Sequence, residues 1–296
     1  MPYMMGGYPT LAQSLHIGHA CVDAGADVIE LGVPYSDPLA DGPVIHEAAT
    51  AALAAGANLG GVLELARALA PRVPVVLMCY ANMVFAPGAA AFAERLARTG
   101  ACGLIVPDLP LEESAEVRQA CDAARIALVP LLAPTSTPAR LAAIGASAAG
   151  FLYTVSVVGT TGERVAAADG GSGDAAGDGG SGDAAADAAA GDAGSGDAAG
   201  DAAAGDAAGR VGAGRAGDRA SDLRELIARA QASTSVPVAI GFGIGTPEQA
   251  RDVAEQGADG VIVGSRLVRA ARDAEHPAEA VGALVGELAS ALATDV

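Results

Sequence analysis

Eight short apolar runs, separated by Ala/Leu/Arg helical patterns, constrain the fold of this chain more than any other feature. The runs are residues 3–5, 27–31, 75–79, 103–106, 127–130, 150–154, 238–241 and 260–263. Helical periodicity falls between them at 11–24, 62–69, 90–98, 114–124, 138–144, 222–232 and 247–256, and a last pattern at 277–293 opens on a proline suited to the first helical position. Nearly continuous Val/Ile/Leu strands alternating with helices describe a parallel sheet covered on its outer face. Eight such units predict an α/β fold of the (β/α)8 TIM-barrel type, with the functional end at the C-terminal ends of the strands. Three loops repeat a phrase like Ala-Gly-Ala-Asp before a strand, at 24–27, 99–102 and 256–259. Each reads as a helix-ending glycine that feeds the next strand.

One region breaks the pattern. Residues 166–219 are mostly Gly, Ala, Asp and Ser, with nine aspartates from Asp169 to Asp206 and no Arg in that span. Such a composition buries too little to offset the entropy of ordering, so a disordered acidic insertion after the sixth strand is expected. Its aspartates lack the glycine-rich spacing of calcium-binding β-rolls. Without it about 240 residues remain, the size of one barrel. The expected organisation is therefore one domain over 1–296 interrupted at 166–219, with Met1 directly ahead of the first strand.

The segment 28–43, VIELGVPYSDPLADGP, carries the strongest chemical signal. Period-2 geometry puts Val28 and Glu30 on one strand face, so a carboxylate interrupts a run otherwise suited to a sealed interior. The turn that follows delivers Asp41. Two carboxylates converging at one strand end can divide the roles of proton donor, proton acceptor and electrostatic partner.

A second signal lies near the C-terminus, where Gly241-Phe242-Gly243 follows one strand and Gly264-Ser265 the next. Glycines at the ends of consecutive late strands admit an anion to backbone N–H groups. Ser265 can then open a short helix whose N-terminus favours phosphate. Tyr153 ends the sixth strand and shares a face with Phe151, and Gly159-Thr160-Thr161-Gly162 follows as a lid-like loop. Asp108 and Asn82 cluster on the same rim. The four histidines are scattered and the four cysteines lack metal spacing, so no metal centre is expected and the cysteines read as reduced core residues. The formal charge of −18 excludes nucleic acid and anionic membranes as partners. All seventeen cationic side chains are Arg, so no lysine exists here to form a Schiff base. Two uncharged stretches, 73–93 and 141–162, are broken by turn residues and read as strands rather than membrane spans. A reducing cytoplasm fits. The chemistry left is metal-free acid/base catalysis on a small phosphorylated substrate, and the barrel by itself admits isomerases, synthases and lyases alike.

Several strings together resemble the tryptophan synthase alpha-subunit family: ELGVPYSDPLADGP, YANMVF, VPDLPLEES, VGTTG, GFGIGTPEQ and VGSRLV. The resemblance covers nearly all of the chain outside the insertion. It implies a lyase that cleaves indole-3-glycerol phosphate to indole and glyceraldehyde 3-phosphate, with Glu30 shuttling protons and Asp41 holding the indole N–H. It implies that Tyr153 positions the substrate, that Tyr3 lines the indole pocket, and that Gly162, Gly243, Gly264 and Ser265 contact phosphate. It also implies a beta-subunit partner in an α2β2 complex, with pyridoxal phosphate on that partner and no cofactor in this chain. The resemblance further implies a helix ahead of the first strand, which this sequence lacks. Another phosphate-binding barrel, of the indole-glycerol-phosphate synthase or phosphosugar epimerase type, and a degenerate subunit that only activates its partner are the competing readings.

Overall fold

The computed structural model describes residues 1–155, 216–241 and 243–293, all within one compact unit. Gly162, the loop around it and nearly all of the expected insertion lie outside the described residues. Parallel strands β1 (Tyr3–Met5), β2 (Ile29–Gly32), β3 (Val75–Met78), β4 (Gly103–Ile105) and β5 (Ala127–Val129) pair in chain order. Strands β6 (Leu131–Leu132), β7 (Leu152–Val155), β8 (Val238–Gly241) and β9 (Gly260–Val261) continue the series. The ends meet, because Pro2 bridges Val263 in parallel and the Tyr3 amide donates to the Val263 carbonyl at 2.8 Å. The (β/α)8 barrel expected from the alternation is therefore what forms.

The expected fifth strand, 127–130, is split in two. Pro130 has no N–H to donate, so the ladder with β4 ends at Val129, and pairing resumes with β7 through Leu131 and Leu132. The Pro130 carbonyl still accepts from the Tyr153 amide at 3.1 Å, which keeps the two halves in line.

Helices α1 (Leu11–Asp23), α2 (Pro43–Ala54), α3 (Leu59–Leu69), α4 (Ala81–Phe85), α5 (Ala89–Ala97), α6 (Ala115–Ala124), α7 (Pro138–Ala146), α8 (Ala216–Ser233), α9 (Pro247–Glu255), α10 (Ser265–Asp273) and α11 (Pro277–Leu292) follow the strands. Local sequence fixes several ends. Thr246 and Gln249 form a reciprocal capping box at α9, and Thr10 and Thr137 cap α1 and α7 through their hydroxyls. The repeated loop glycines behave as the sequence implies: Gly25, Gly100 and Gly257 all take positive φ, a backbone state open to glycine at little cost. Arg125 fills the same position between α6 and β5 at φ 58°. Helix α8 starts at Ala216, inside the span assigned to the insertion.

Two apolar layers result. Ile29, Leu31, Val75, Leu77, Leu104 and Ile240 face outward against the helices, while Val76, Ile105, Val129, Tyr153, Ala239 and Ile262 fill the barrel. The alternation along each strand follows the pleat. Cys21, Cys79 and Cys121 are buried, but Cys102 is exposed, so the reading of all four cysteines as core residues fails at that position. Cys102 precedes β4 at the N-terminal edge of the barrel, where the chain is still crossing the surface. Among the described residues no single helix is long and apolar enough to cross a membrane.

The α7–α8 contact depends on a missing side chain. A Cβ on Gly145 would lie 2.2 Å from the Ser233 carbonyl oxygen, a backbone atom that cannot swing aside. Gly145→Ala is expected to destabilise the protein by about 1–3 kcal/mol, measured as a lowered midpoint in thermal or urea unfolding.

Candidate active site

Three consecutive strands, β1 to β3, build one wall of the barrel lumen. In register, Tyr3 of β1 lies beside Glu30 of β2, which lies beside Val76 of β3. Val76 belongs to the lumen cluster, and Val28 packs against it, so Glu30 points inward as its spacing from Val28 requires. Glu30 is 1% exposed, and neither carboxyl oxygen has a hydrogen-bond partner among the described residues. Burial pushes its pKa from 4.5 up to about 8; the nearby Asp41 charge adds to the rise and the chain's amino terminus opposes it. At neutral pH Glu30 is therefore mostly a neutral acid, and the carboxylate left after proton donation is an avid base.

Asp41 sits on the loop between β2 and α2, just before Gly42 and Pro43 open that helix. Burial raises its pKa, while a hydrogen bond from Tyr80 and the charge of His46 pull it back toward ionisation. The helix N-terminus one residue away favours the same anionic form. Sequence reasoning identified the two carboxylates but did not name Tyr80 or His46 as their neighbours. The signal for Tyr80 was its place, first after the β3 run and thus on the functional rim. His46, in the first turn of α2 and five residues beyond Asp41, was read only as one of four scattered histidines.

The two tyrosines named from sequence occupy equivalent settings. The Tyr3 ring lies over Gly32, where a Cβ would come within 2.3 Å of the phenol oxygen, and the Tyr153 ring lies over Gly241, where the distance would be 2.5 Å. In each case the ring leans two residues toward the C-terminal end of the neighbouring strand, past its own register partner. Both phenols are buried and held well above their ordinary pKa, first by desolvation, then by Asp41 and Glu30 at Tyr3 and by Glu30 at Tyr153. They remain neutral polar groups in a largely apolar chamber. Phe151 and Tyr153 sit with ring centroids 6.3 Å apart, which agrees with a shared inward face.

The late glycines stand at the ends of β8 and β9. Gly243 takes φ 80°, and Gly264 caps α10, whose first residue is Ser265. The helix expected to open at Ser265 is present. A Cβ on Gly264 would make only ordinary 3.5 Å contact with Tyr3, so internal packing does not demand glycine there. Asp108, on the loop after β4, accepts from the Ala81 amide at 2.8 Å and pins the start of α4. Among the described residues no group of three or more His, Cys, Asp or Glu is placed to hold a metal ion.

Comparison with known proteins gives a consistent result. A family model described as "Tryptophan synthase alpha chain" matches residues 1–170 and 207–293, leaving out only the middle of the low-complexity stretch and the last residues. The tryptophan synthase alpha chain of Gloeobacter violaceus is 39% identical over 96% of this chain and 84% of its own length. That of Methanosarcina mazei is 37% identical over 98% and 87%. Among solved structures, a chain of Mycobacterium tuberculosis tryptophan synthase superposes with a TM-score of 0.75 at 33% identity, covering 98% of this chain and 91% of that one. The alpha subunit from Legionella pneumophila gives a TM-score of 0.74 at 30% identity with the same coverage.

The raised pKa of Glu30 carries a stability consequence of definite sign. Between about pH 4.5 and pH 8 the folded chain keeps a proton that the unfolded chain has lost, so rising pH destabilises the fold through that window. Glu30→Gln removes the penalty. The variant is expected to melt with the wild type near pH 4 and above it at pH 8, by on the order of a few kcal/mol in stability. Equal melting temperatures at both pH values would contradict the assignment.

Proposed function

This chain belongs to the tryptophan synthase alpha chain family, whose lyase reaction cleaves indole-3-glycerol phosphate in tryptophan biosynthesis, and from that premise we propose which residues carry the chemistry. The observation behind the proposal is Glu30, a fully buried carboxyl with unpartnered oxygens facing a second carboxylate. Membership in this family sets aside the synthase and epimerase readings. Retention of both carboxylates in a closed lumen argues against a subunit without activity of its own.

Glu30 protonates C3 of the indole ring and leaves a cation delocalised onto the ring nitrogen. Asp41, kept ionised, accepts a hydrogen bond from the indole N–H and balances that charge. The Glu30 carboxylate then removes the proton from the hydroxyl beside the scissile bond. The C–C bond breaks, its electron pair restores the aromatic ring, and the hydroxyl carbon becomes the aldehyde. Protons balance: one passes from Glu30 to carbon and one returns from oxygen. Tyr3 and Tyr153 flank the ring, and Gly243, Gly264 and Ser265 receive the phosphate on backbone N–H groups at the start of α10. Gly162 has the same assignment from sequence, outside the described residues.

We assign the partner by the same reasoning. Among the described residues the exposed large apolar side chains are Leu39 and Phe85, on loop and helix after β2 and β3. An apolar pair on the rim that releases indole fits a beta subunit in an α2β2 assembly, with pyridoxal phosphate chemistry supplied by that subunit, since this chain has no lysine. The four cysteines are free, in keeping with a cytoplasmic setting.

Glu30→Gln is expected to abolish indole release while substrate still binds, and Asp41→Asn to keep more activity, since an amide still accepts the N–H bond without balancing the charge. Losses on the order of 100-fold or more are typical of such interactions. Near-normal turnover in Glu30→Gln sinks the scheme. Gly264→Ala is expected to raise KM several-fold with little change in melting temperature, because the added methyl fits the fold but crowds the anion. An unchanged KM, with no competition from inorganic phosphate, removes the phosphate assignment.

A further inference from the structure

The loop that carries Asp41 is fastened to a side chain outside the two carboxylates. Tyr80 is 4% exposed and lies where β3 passes into α4. Its phenol oxygen accepts the Ala40 amide at 3.1 Å. That bond uses a lone pair and leaves the phenol's own proton free to donate toward Asp41, the next residue on the loop, whose pKa the hydroxyl lowers. The ring also packs against Tyr35 on the same loop, with centroids 5.1 Å apart and planes tilted by 33°. Tyr80 thus holds the loop at two places, Tyr35 and Ala40, the second directly before Asp41. It is itself held from behind, because the next residue, Ala81, donates to Asp108.

We propose that Tyr80 is a positioning residue for the cleavage reaction, its hydroxyl and ring fixing the loop that presents the Asp41 carboxylate to the lumen. The proposal rests on the reading of Asp41 given above and goes beyond it, by naming what keeps that group in its working state. Partial burial shifts the Asp41 carboxyl in the direction of its neutral form, which cannot balance a cation on the indole ring. Two groups oppose this drift: the Tyr80 hydroxyl and the charge of His46 on α2. The other titratable groups near Asp41 are Glu30 on β2 and Tyr3 on β1, with Asp108 after β4 acting on Tyr80. None of these three donates a charge that favours the anion. The phenol stays protonated throughout the working range, since burial and its acidic neighbours hold it above its ordinary pKa.

Tyr80→Phe deletes the hydroxyl and keeps the ring against Tyr35. With the full-length chain and indole-3-glycerol phosphate, kcat/KM near neutral pH is expected to fall about ten-fold or more, as for a lost hydrogen bond to a charged group. The fall should lie mainly in kcat. The acidic limb of the pH profile should move upward, so that raising the pH recovers part of the loss. In an Asp41→Asn background the same substitution should add little. A wild-type pH profile in Tyr80→Phe overturns the proposal. So does a loss that is additive with Asp41→Asn and leaves the acidic limb in place, because that marks a packing role. If Asp41→Asn alone retains wild-type activity, the role given to Asp41 fails first, and Tyr80 falls with it.

Discussion

The structure turns on one unpaired carboxyl held in a sealed barrel. An ionised glutamate in such a place would be ruinous unless paired, and the cheapest response is to keep its proton. Glu30 does this, with burial as the first cause of its raised pKa. The lumen that enforces the shift exists because the strands close through Val263 and Pro2 into a ring with no open edge. Barrel closure and acid strength are therefore one property seen at two scales. Loss of the β9–β1 seam would admit water beside Glu30 and return it to an ordinary carboxylate.

The parallel register passes this constraint to the residues around Glu30. Because β1, β2 and β3 run side by side without stagger between Tyr3, Glu30 and Val76, a single carboxyl enters the chamber beside a phenol and an apolar side chain. Space beyond that level is set by Gly32 and Gly241, which let two phenol rings lean across neighbouring strands. A methyl group at either glycine would drive the ring back. The chamber's shape thus depends on side chains that are absent as much as on those present.

Much of this was legible in the sequence, for identifiable reasons. The strands were visible because parallel barrel strands are buried on both faces and read as continuous Val/Ile/Leu runs. Glu30 stood out because it broke such a run, and Asp41 because it followed in the next turn. What could not be read depends on tertiary approach. Nothing in the local pattern says that Tyr80 reaches over to Ala40, forty residues earlier, or that the charge of His46 acts on Asp41. Pro130 was counted inside a strand because its neighbours are apolar, yet its missing N–H splits the ladder there. Cys102 was placed inside because it adjoins a buried run, whereas the strand begins one residue later, at Gly103.

Two carboxylates in one chamber have opposite tasks only if their proton affinities are held apart. Left to burial alone both would rise, and the second carboxyl would move toward the neutral form, which cannot meet a positive ring. Asymmetry has to come from the second group's surroundings. Glu30 has no hydrogen-bond donor among the described residues, whereas Asp41 has a phenol, a nearby histidine and a helix N-terminus within reach. The loop position of Asp41 permits this, because a loop can be approached from neighbouring elements while a strand side chain facing the lumen cannot. The same reasoning explains why the acid sits on the strand and the anion on the loop: desolvation is greatest in the lumen, and groups that favour an anion converge at its rim.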